Sequence, residues 1–333
     1  MNRPDVTVVT PFRNRSTLLL ETIGSLTAQI NPHWELLLVD DGSTDEELAI
    51  TGAFIAADSR IRLLHRVDAP PGANSCRNLG MRNANADLIV FLDSDDLLTP
   101  VCLETRIRIM ERNKDLDFCV WQTGVFQKSL GDMTKEFAPG LLGDDLMRFL
   151  FLECPWQTTA PIWRRDSLEK LGGWDVELPS WQDVDLHIRA LCAGMKYLRF
   201  PGIDHYMRWA WDPTKTSVLQ RRSPEHLHAA ESTLVKFEAE VRKGPGLDWC
   251  RQRALCSLYF FLAEHWVEIG DLREALRVWG ICWRRHLLPL PVHITGSGLL
   301  TAKRMGRKSE LVKRATNKWI GVVRMRSNPA LIS

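Results

Sequence analysis

Within the first hundred residues, four short apolar runs alternate with segments of helical spacing, and this alternation limits the folds open to the chain more than any other feature. Residues 6–10 are mostly β-branched, 16–30 carry apolar side chains at helical intervals, 35–39 are apolar again, and 44–57 read as a second helix. Residues 61–65 supply a third strand, 75–83 a third helix and 88–92 a fourth strand. Strands this apolar, joined by helical crossovers, need cover on both faces, which predicts a parallel α/β sheet. Ligands of such sheets bind beyond the carboxyl ends of the strands, so the polar clusters there are the first places to look for chemistry.

Beyond Thr99 the pattern loosens into a helix to about Asn113, a strand over 117–121 and irregular segments, and twelve of the thirteen tryptophans lie after residue 120. Most of these indoles are expected in the core, with some free to pack on sugar rings. From Pro224 the chain is helical, and residues 258–281 have the pattern of a helical hairpin with Gly270-Asp271 as its turn and Ala263 and Ala275 as close-packing positions. One such hairpin resembles a single tetratricopeptide repeat, which cannot bury its own face alone, so the region is expected to cap the core or to dock something. The domain reading is a first half over 1–98, a second over 99–222, and a helical region with a basic tail over 223–333.

Four clusters stand just past predicted strand or loop ends. Thr10-Pro11-Phe12-Arg13-Asn14 leaves the first strand with a ring and backbone amides that could meet a base. In Asp40-Asp41-Gly42-Ser43-Thr44-Asp45, Asp41 can accept from a nucleobase N–H while Gly42 permits a tight turn into a helix capped by Ser43 or Thr44. The third cluster, Asp93-Ser94-Asp95-Asp96, sets three carboxylates at the mouth of a buried strand, an arrangement that repels itself unless a cation sits among them. Hard oxygen donors favour Mg²⁺ or Mn²⁺, and such an ion would neutralise a departing diphosphate. Asp183, within Trp181-Gln182-Asp183-Val184-Asp185, stands at a predicted helix start, where capping is its ordinary role.

Taken together and in this order, these segments resemble the family 2 glycosyltransferases of GT-A fold over residues 5 to about 220. The matching stretches are Val6 through Asn14, the Asp40 to Asp45 turn, Cys76-Arg77-Asn78-Leu79-Gly80, Asp93-Ser94-Asp95-Asp96, and Gly172-Gly173-Trp174-Asp175 on to Asp183. The resemblance implies an α/β, Rossmann-like nucleotide-diphospho-sugar transferase fold with a helical C-terminal extension. It implies that Thr10, Pro11, Phe12 and Arg13 form the nucleotide side, that Asp41 pairs with the base, that Arg77 and Ser94 lie near the nucleotide, and that Asp93 and Asp95 serve ribose and metal. Asp183 would then be the general base of an inverting transfer from a nucleotide sugar, a UDP-sugar by expectation, to a saccharide or lipid-linked acceptor. Two departures stand out. Gln182 occupies a position where the family usually has an acid, and the segment Tyr206-Met207-Arg208-Trp209-Ala210-Trp211 lacks the histidine many members carry, leaving Arg208 to meet the diphosphate.

Composition narrows the rest. With 45% hydrophobic and 25% charged residues the chain is of ordinary globular make-up, and it has no P-loop or dinucleotide fingerprint. The eight cysteines are scattered without CxxC spacing, and no apolar run reaches membrane-spanning length, so an intracellular, reduced setting is expected. Residues 300–333 hold nine Lys or Arg against one acid, Glu310, which suits an anionic partner; the charge alone fits a membrane surface or nucleic acid, and a glycan-assembling enzyme points to the inner membrane face. Two other readings compete. A haloacid dehalogenase-type phosphatase would also use an Asp-x-Asp, but here Leu97 and Leu98 follow and the Asp40-Asp41 turn would go unexplained. A catalytically inactive scaffold is prompted by Gln182 and the basic tail.

Overall fold

The computed structural model describes residues 3–133, 136–138, 143–178, 181–209, 223–305 and 314. They fall into two units, one drawn from Met1–Leu141, Pro155–Glu177 and Gly194–Ala210, the other from Leu142–Cys154, Leu178–Ala193 and Trp211–Ser333.

The first unit is a mixed sheet flanked by helices. Its strands are β1 (Val6–Phe12), β2 (Trp34–Asp40), β3 (Ile61–His65), β4 (Leu88–Phe91), β5 (Leu97–Leu98), β6 (Phe118–Phe126), β7 (Glu136–Phe137), β8 (Pro161–Arg164) and β9 (Tyr197–Arg208). The order is β3-β2-β1-β4-β8-β6-β9-β5, with β7 on β6. The strands β3, β2, β1 and β4 are parallel, as the alternation predicts, and β1, β2 and β4 are buried throughout. Val6, Val8, Leu36, Leu38 and Val90 anchor one continuous core with Leu19, Ile23 and Leu26 of α1 (Ser16–Thr27) and Leu103, Ile107 and Met110 of α4 (Cys102–Arg112). Each such side chain contributes about 1.5–3 kcal/mol on full burial.

Local chemistry fixes the crossovers. Thr44 caps α2 (Asp45–Ala57), and Asp45, Glu46 and Glu47 in its first turn complement the helix dipole. Helix α3 (Ala73–Arg82) follows Gly72, whose φ of 133° a side chain would disfavour. Its Gly80 lies so close to β1 that an added Cβ would stand 2.3 Å from a Val9 methyl. Helix α6 (Arg165–Leu171) ends on Gly172 in the left-handed region.

Of the later half of the sheet, the pattern predicts only the strand over 117–121, which the structure extends as β6 to Phe126; the other strands were not legible. Strand β8 begins with a proline and is only 4 residues long, and β9 carries Pro201-Gly202 within it where its register on β6 shifts. What holds β9 is a buried polar knot. The Arg106 guanidinium of α4 is bidentate to Asp204 (2.8 Å for both bonds), and His205 links Asp204 (2.8 Å) to Thr123 of β6 (2.8 Å).

The second unit is helical, comprising α5 (Asp145–Leu150), α7 (Gln182–Cys192), α8 (Pro224–Lys243), α9 (Trp249–Ile269), α10 (Leu272–Arg284) and α11 (Leu290–Met305). The expected hairpin is α9–α10: Gly270 closes α9 at φ 102°, Asp271 caps α10 by accepting from Glu274 N–H (2.9 Å), and Ala263 and Ala275 are buried. No described helix is long and apolar enough to cross a membrane. All eight cysteines are free thiols.

Candidate functional site

The parallel register sets the ends of β1, β2 and β4 side by side. Phe12 pairs with Asp40, Asp41 N–H donates to the Phe12 carbonyl (2.9 Å), and Leu92 N–H donates to the Val9 carbonyl (3.0 Å). Three of the four sequence clusters therefore meet. Pro11, Phe12, Arg13, Asp41, Arg77, Asp93, Ser94 and Asp95 line one cleft of about 380 Å³, joined by Arg15 and Ala73. Of the residues expected at the nucleotide, Thr10 and Arg208 are not in the cleft's lining; Thr10 is wholly buried within β1, and its hydroxyl has no hydrogen-bond partner among the described residues.

Each acid of the cleft has an arginine opposite. Arg77, itself buried and lying over the Trp174 ring at 4.4 Å, donates to Asp93 (2.7 Å). Arg15, just ahead of α1, donates to Asp95 (2.7 Å). Arg66 and the Gly72 N–H (3.0 Å) both donate to Oδ1 of Asp41. Neither Arg15 nor Arg66 stood out in the sequence, although each sits where a segment leaves the sheet region: Arg15 follows the Arg13-Asn14 loop, and Arg66 is the first residue past β3.

Burial and electrostatics mark the Asp93 to Asp96 loop as a place that wants positive charge. Burial raises the Asp95 carboxyl above its ordinary value, the Asp93 carboxylate adds to this, and Arg15 works against it. Asp96 is pushed well above the usual range, first by burial and then by Asp93 and Asp95. It is a structural tie: its Oδ2 accepts from Thr159 Oγ1 (2.8 Å) and Gln157 (3.3 Å), and its Oδ1 from the Arg208 N–H (3.2 Å). Arg208 in turn donates through Nε to the Asp95 carbonyl (3.2 Å) and pairs with Glu21. For Asp40, burial opposes the charge, but hydrogen bonds from Ser43 and Gly42 outweigh it and hold the carboxyl below its usual value.

Among the described residues, no group of three or more His, Cys, Asp or Glu is placed to hold a metal ion. Asp93 and Asp95 instead offer the one or two carboxylates by which Mg²⁺-type ions are held when substrate phosphates and water complete the shell, and a divalent ion would favour the charged form of Asp95 that burial and then Asp93 disfavour. The donor set therefore fits such an ion.

The fourth cluster divides between the units. Asn78 reaches across from α3 to clamp the Gly173-Trp174 turn, donating to the Trp174 carbonyl (2.7 Å) and accepting from its N–H (2.9 Å). Asp183 belongs to the second unit. It is not the helix cap that its position suggested: Trp181, at φ 56°, takes that place, and Asp183 sits inside the first turn of α7 with Oδ1 accepting from Val184 N–H (2.9 Å). The N-terminal end of a helix favours a carboxylate. Of the tryptophans, Trp156, Trp163, Trp174, Trp266 and Trp279 are core residues, each at most 2% exposed.

Most of the chain is similar to solved structures. TarS residues 1–349 from S. aureus, in complex with UDP-GlcNAc, matches with a TM-score of 0.63 at 17% identity, over 96% of this chain and 89% of that one. The mannosyltransferase PcManGT from Pyrobaculum calidifontis, in complex with GDP-Man and Mn²⁺, matches with a TM-score of 0.53 at 16% identity, over 98% and 88%. At such identities the likeness establishes the architecture, the GT-A fold with a helical C-terminal region. The sequence then gives the family. Residues 7–172 match the model of glycosyl transferase family 2, and the chain belongs to that family. A relative in Bacillus subtilis, TuaG, named provisionally as a teichuronic acid biosynthesis glycosyltransferase, is 34% identical over 117 residues, 35% of this chain and 46% of TuaG. The aligned segments span less than half the length of this and the other leading curated relatives.

Proposed function

We propose that the protein transfers a sugar from a nucleotide-diphospho-sugar, a UDP-sugar, to a hydroxyl of a saccharide or lipid-linked acceptor, with inversion and with the help of Mn²⁺ or Mg²⁺. The observation that carries the reading is the convergence of Pro11, Phe12, Asp41, Arg77, Asp93 and Asp95 on a single cleft at the carboxyl ends of β1, β2 and β4. Support for the nucleotide class comes from the neighbours solved with UDP-GlcNAc and GDP-Man, and for a cell-envelope glycan from the name of TuaG.

In this reading the base lies against Pro11 and Phe12, and Asp41, steadied by Arg66, accepts from a base N–H through its remaining oxygen. Asp93, oriented by Arg77, takes the ribose side, and Asp95 with Asp93 would hold the divalent ion. When bound, that ion neutralises charge on the diphosphate leaving group. Arg13, Ser94 and Arg208 supply donors for phosphate oxygens. Asp183 takes the proton from the acceptor hydroxyl as its oxygen bonds to the anomeric carbon. The bond from that carbon to the phosphate oxygen breaks on the opposite side, and the nucleoside diphosphate leaves with the electron pair, which inverts the centre. The place of action is the inner membrane face, reached by a basic C-terminal tail of whose nine Lys and Arg residues all but Lys303, Arg304 and Arg314 lie outside the described residues.

Calorimetric titration with UDP tests the core of this. Binding in the presence of Mn²⁺ that is lost with chelator, and weakened at least tenfold by Asp95→Asn, is the expected result. Failure of UDP, GDP, dTDP and CDP alike would overturn it in favour of a scaffold.

A further inference from the structure

A second feature of the molecule lies away from the cleft, in the helical unit. From Ala275 to Ser309 the sequence has seven Lys or Arg and no Asp or Glu. Within it, the start of α11 is pinned to α10 on one face only. The Trp279 indole N–H donates to the His293 carbonyl (2.9 Å), the His293 ring stacks between Trp279 and Trp283 (centroids 5.9 and 6.0 Å away), and Gly296 abuts the Trp279 ring so closely that a Cβ would meet it at 2.6 Å. Leu290 at 48% and Ile294 at 60% exposure, four residues apart, share one flank of this helix start, and Val292 at 36% stands on its other flank. Val292 also lines an apolar cavity of about 120 Å³ whose rim holds Trp249, half exposed, with the Arg253 guanidinium 4.3 Å over its ring.

We propose that this end of the helical unit, the α10–α11 turn with Trp249, docks on an anionic lipid bilayer. The composition favours lipid over a protein partner. Apolar side chains stand out with the half-exposed Trp283 in a stretch of sequence without a carboxylate, and the half-exposed Trp249, whose neighbour Asp248 is paired with Arg251, lines the same cavity as Val292, the pattern of an interfacial element. Some of its cations are engaged internally: Arg277 with Glu231, Arg285 with Glu238 and Lys303 with Glu264. Arg284 and Arg304 have no carboxylate partner among the described residues, and Arg284 follows directly on Trp283, where it can meet lipid phosphates as the apolar turn enters the acyl boundary. This surface is separate from the basic tail and does not depend on the transferase reading.

Co-sedimentation of the full chain with vesicles tests it. The expected result is binding to vesicles of phosphatidylcholine with 30% phosphatidylglycerol, weak binding to phosphatidylcholine alone, and at least a tenfold loss of affinity in the double variant Leu290→Asp, Ile294→Asp. Both residues are exposed, so the variant should keep the wild-type circular dichroism and thermal melt. Wild-type affinity in that variant would assign any vesicle binding to the tail and overturn the proposal. So would failure of the wild-type chain to bind anionic vesicles, or a dimer in sedimentation velocity that the same substitutions dissolve, which would make a second copy the occupant.

Discussion

Replacing Asp204 by Asn removes a charge while keeping size and hydrogen-bonding shape, and it leaves the fully buried Arg106 guanidinium without its counter-ion. Breaking a buried pair in this way costs about 3–5 kcal/mol. In native-state hydrogen exchange, amides of β6 and β9 that open with this unit should then exchange about 10²–10⁴ times faster, since about 1.4 kcal/mol is a factor of ten. The pair also has a pH signature. Burial alone would raise the Asp204 carboxyl, but Arg106 and then His205 outweigh it and hold the group at about 2, below its ordinary 3.8. A depressed carboxylate contributes stability that is complete above the unfolded value and is lost as pH falls through the folded one, here between about pH 5 and 2, and the shift corresponds to about 2.5 kcal/mol. The wild type should lose that contribution on acidification and Asp204→Asn should not. Joint replacement of Arg106 and Asp204 by Leu should recover much of the loss, because neither partner is then left charged. An acceleration below tenfold for Asp204→Asn, or an unchanged acid dependence, would refute the assignment of β9's stability to this knot.

Three further outcomes follow from the same geometry. Arg15→Ala removes the cation that faces Asp95 and should tighten Mn²⁺ binding to the nucleotide-free protein by about threefold to tenfold, the scale of a partly exposed ion pair; paramagnetic resonance of free Mn²⁺ reads it, and weaker binding would show that Arg15 supports the metal site. Gly80→Ala drives a Cβ into Val9 and should cost about 1–3 kcal/mol in urea unfolding, with a neutral result meaning that α3 can shift off β1 freely. Asp183→Asn should leave UDP affinity unchanged while lowering kcat by about 10²–10⁴, measured by release of nucleoside diphosphate; equal turnover would remove Asp183 from the role of base.

The half of the fold that was legible in the sequence is the half built from repetition. Strands β1, β2 and β4 are buried throughout, so apolar side chains dominate them, with Thr7, Thr10, Glu35 and Asp40 as the polar members, and of the helices between them α2 carries a recognisable cap in Thr44. Strands β8 and β9 gave no such signal. A four-residue strand starting at Pro161 has no period to read, and β9 is held by Arg106, a residue 98 positions before its partner Asp204, which only the folded chain brings near. The same distinction sorts the site. Asp41, Asp93 and Asp95 could be named because three strand ends of a parallel sheet must share one edge, whereas Arg15 and Arg66 could not, because their role depends on which way a loop turns after it leaves that edge.

The pairing of every acid in the cleft with an arginine has a consequence for how the site works. The acids Asp41, Asp93 and Asp95 of the cleft would repel one another in the absence of ligand, and Asp96 behind them is raised first by burial and then by Asp93 and Asp95. Arg77, Arg15 and Arg66 keep the strand ends compact without a bound cation, so the cleft need not be organised at the moment of binding. These three pairs are unequal in exposure. Arg77 is 7% exposed and wedged on Trp174, and Arg66 is 14% exposed; Arg15 is 44% exposed and rests on a loop. Solvent screening makes the Arg15–Asp95 pair the weakest of the three, and it is therefore the one a divalent ion can displace at least cost. Under the proposed function, displacement there would free a guanidinium beside the diphosphate, and metal and phosphate binding would assist each other through a single side chain.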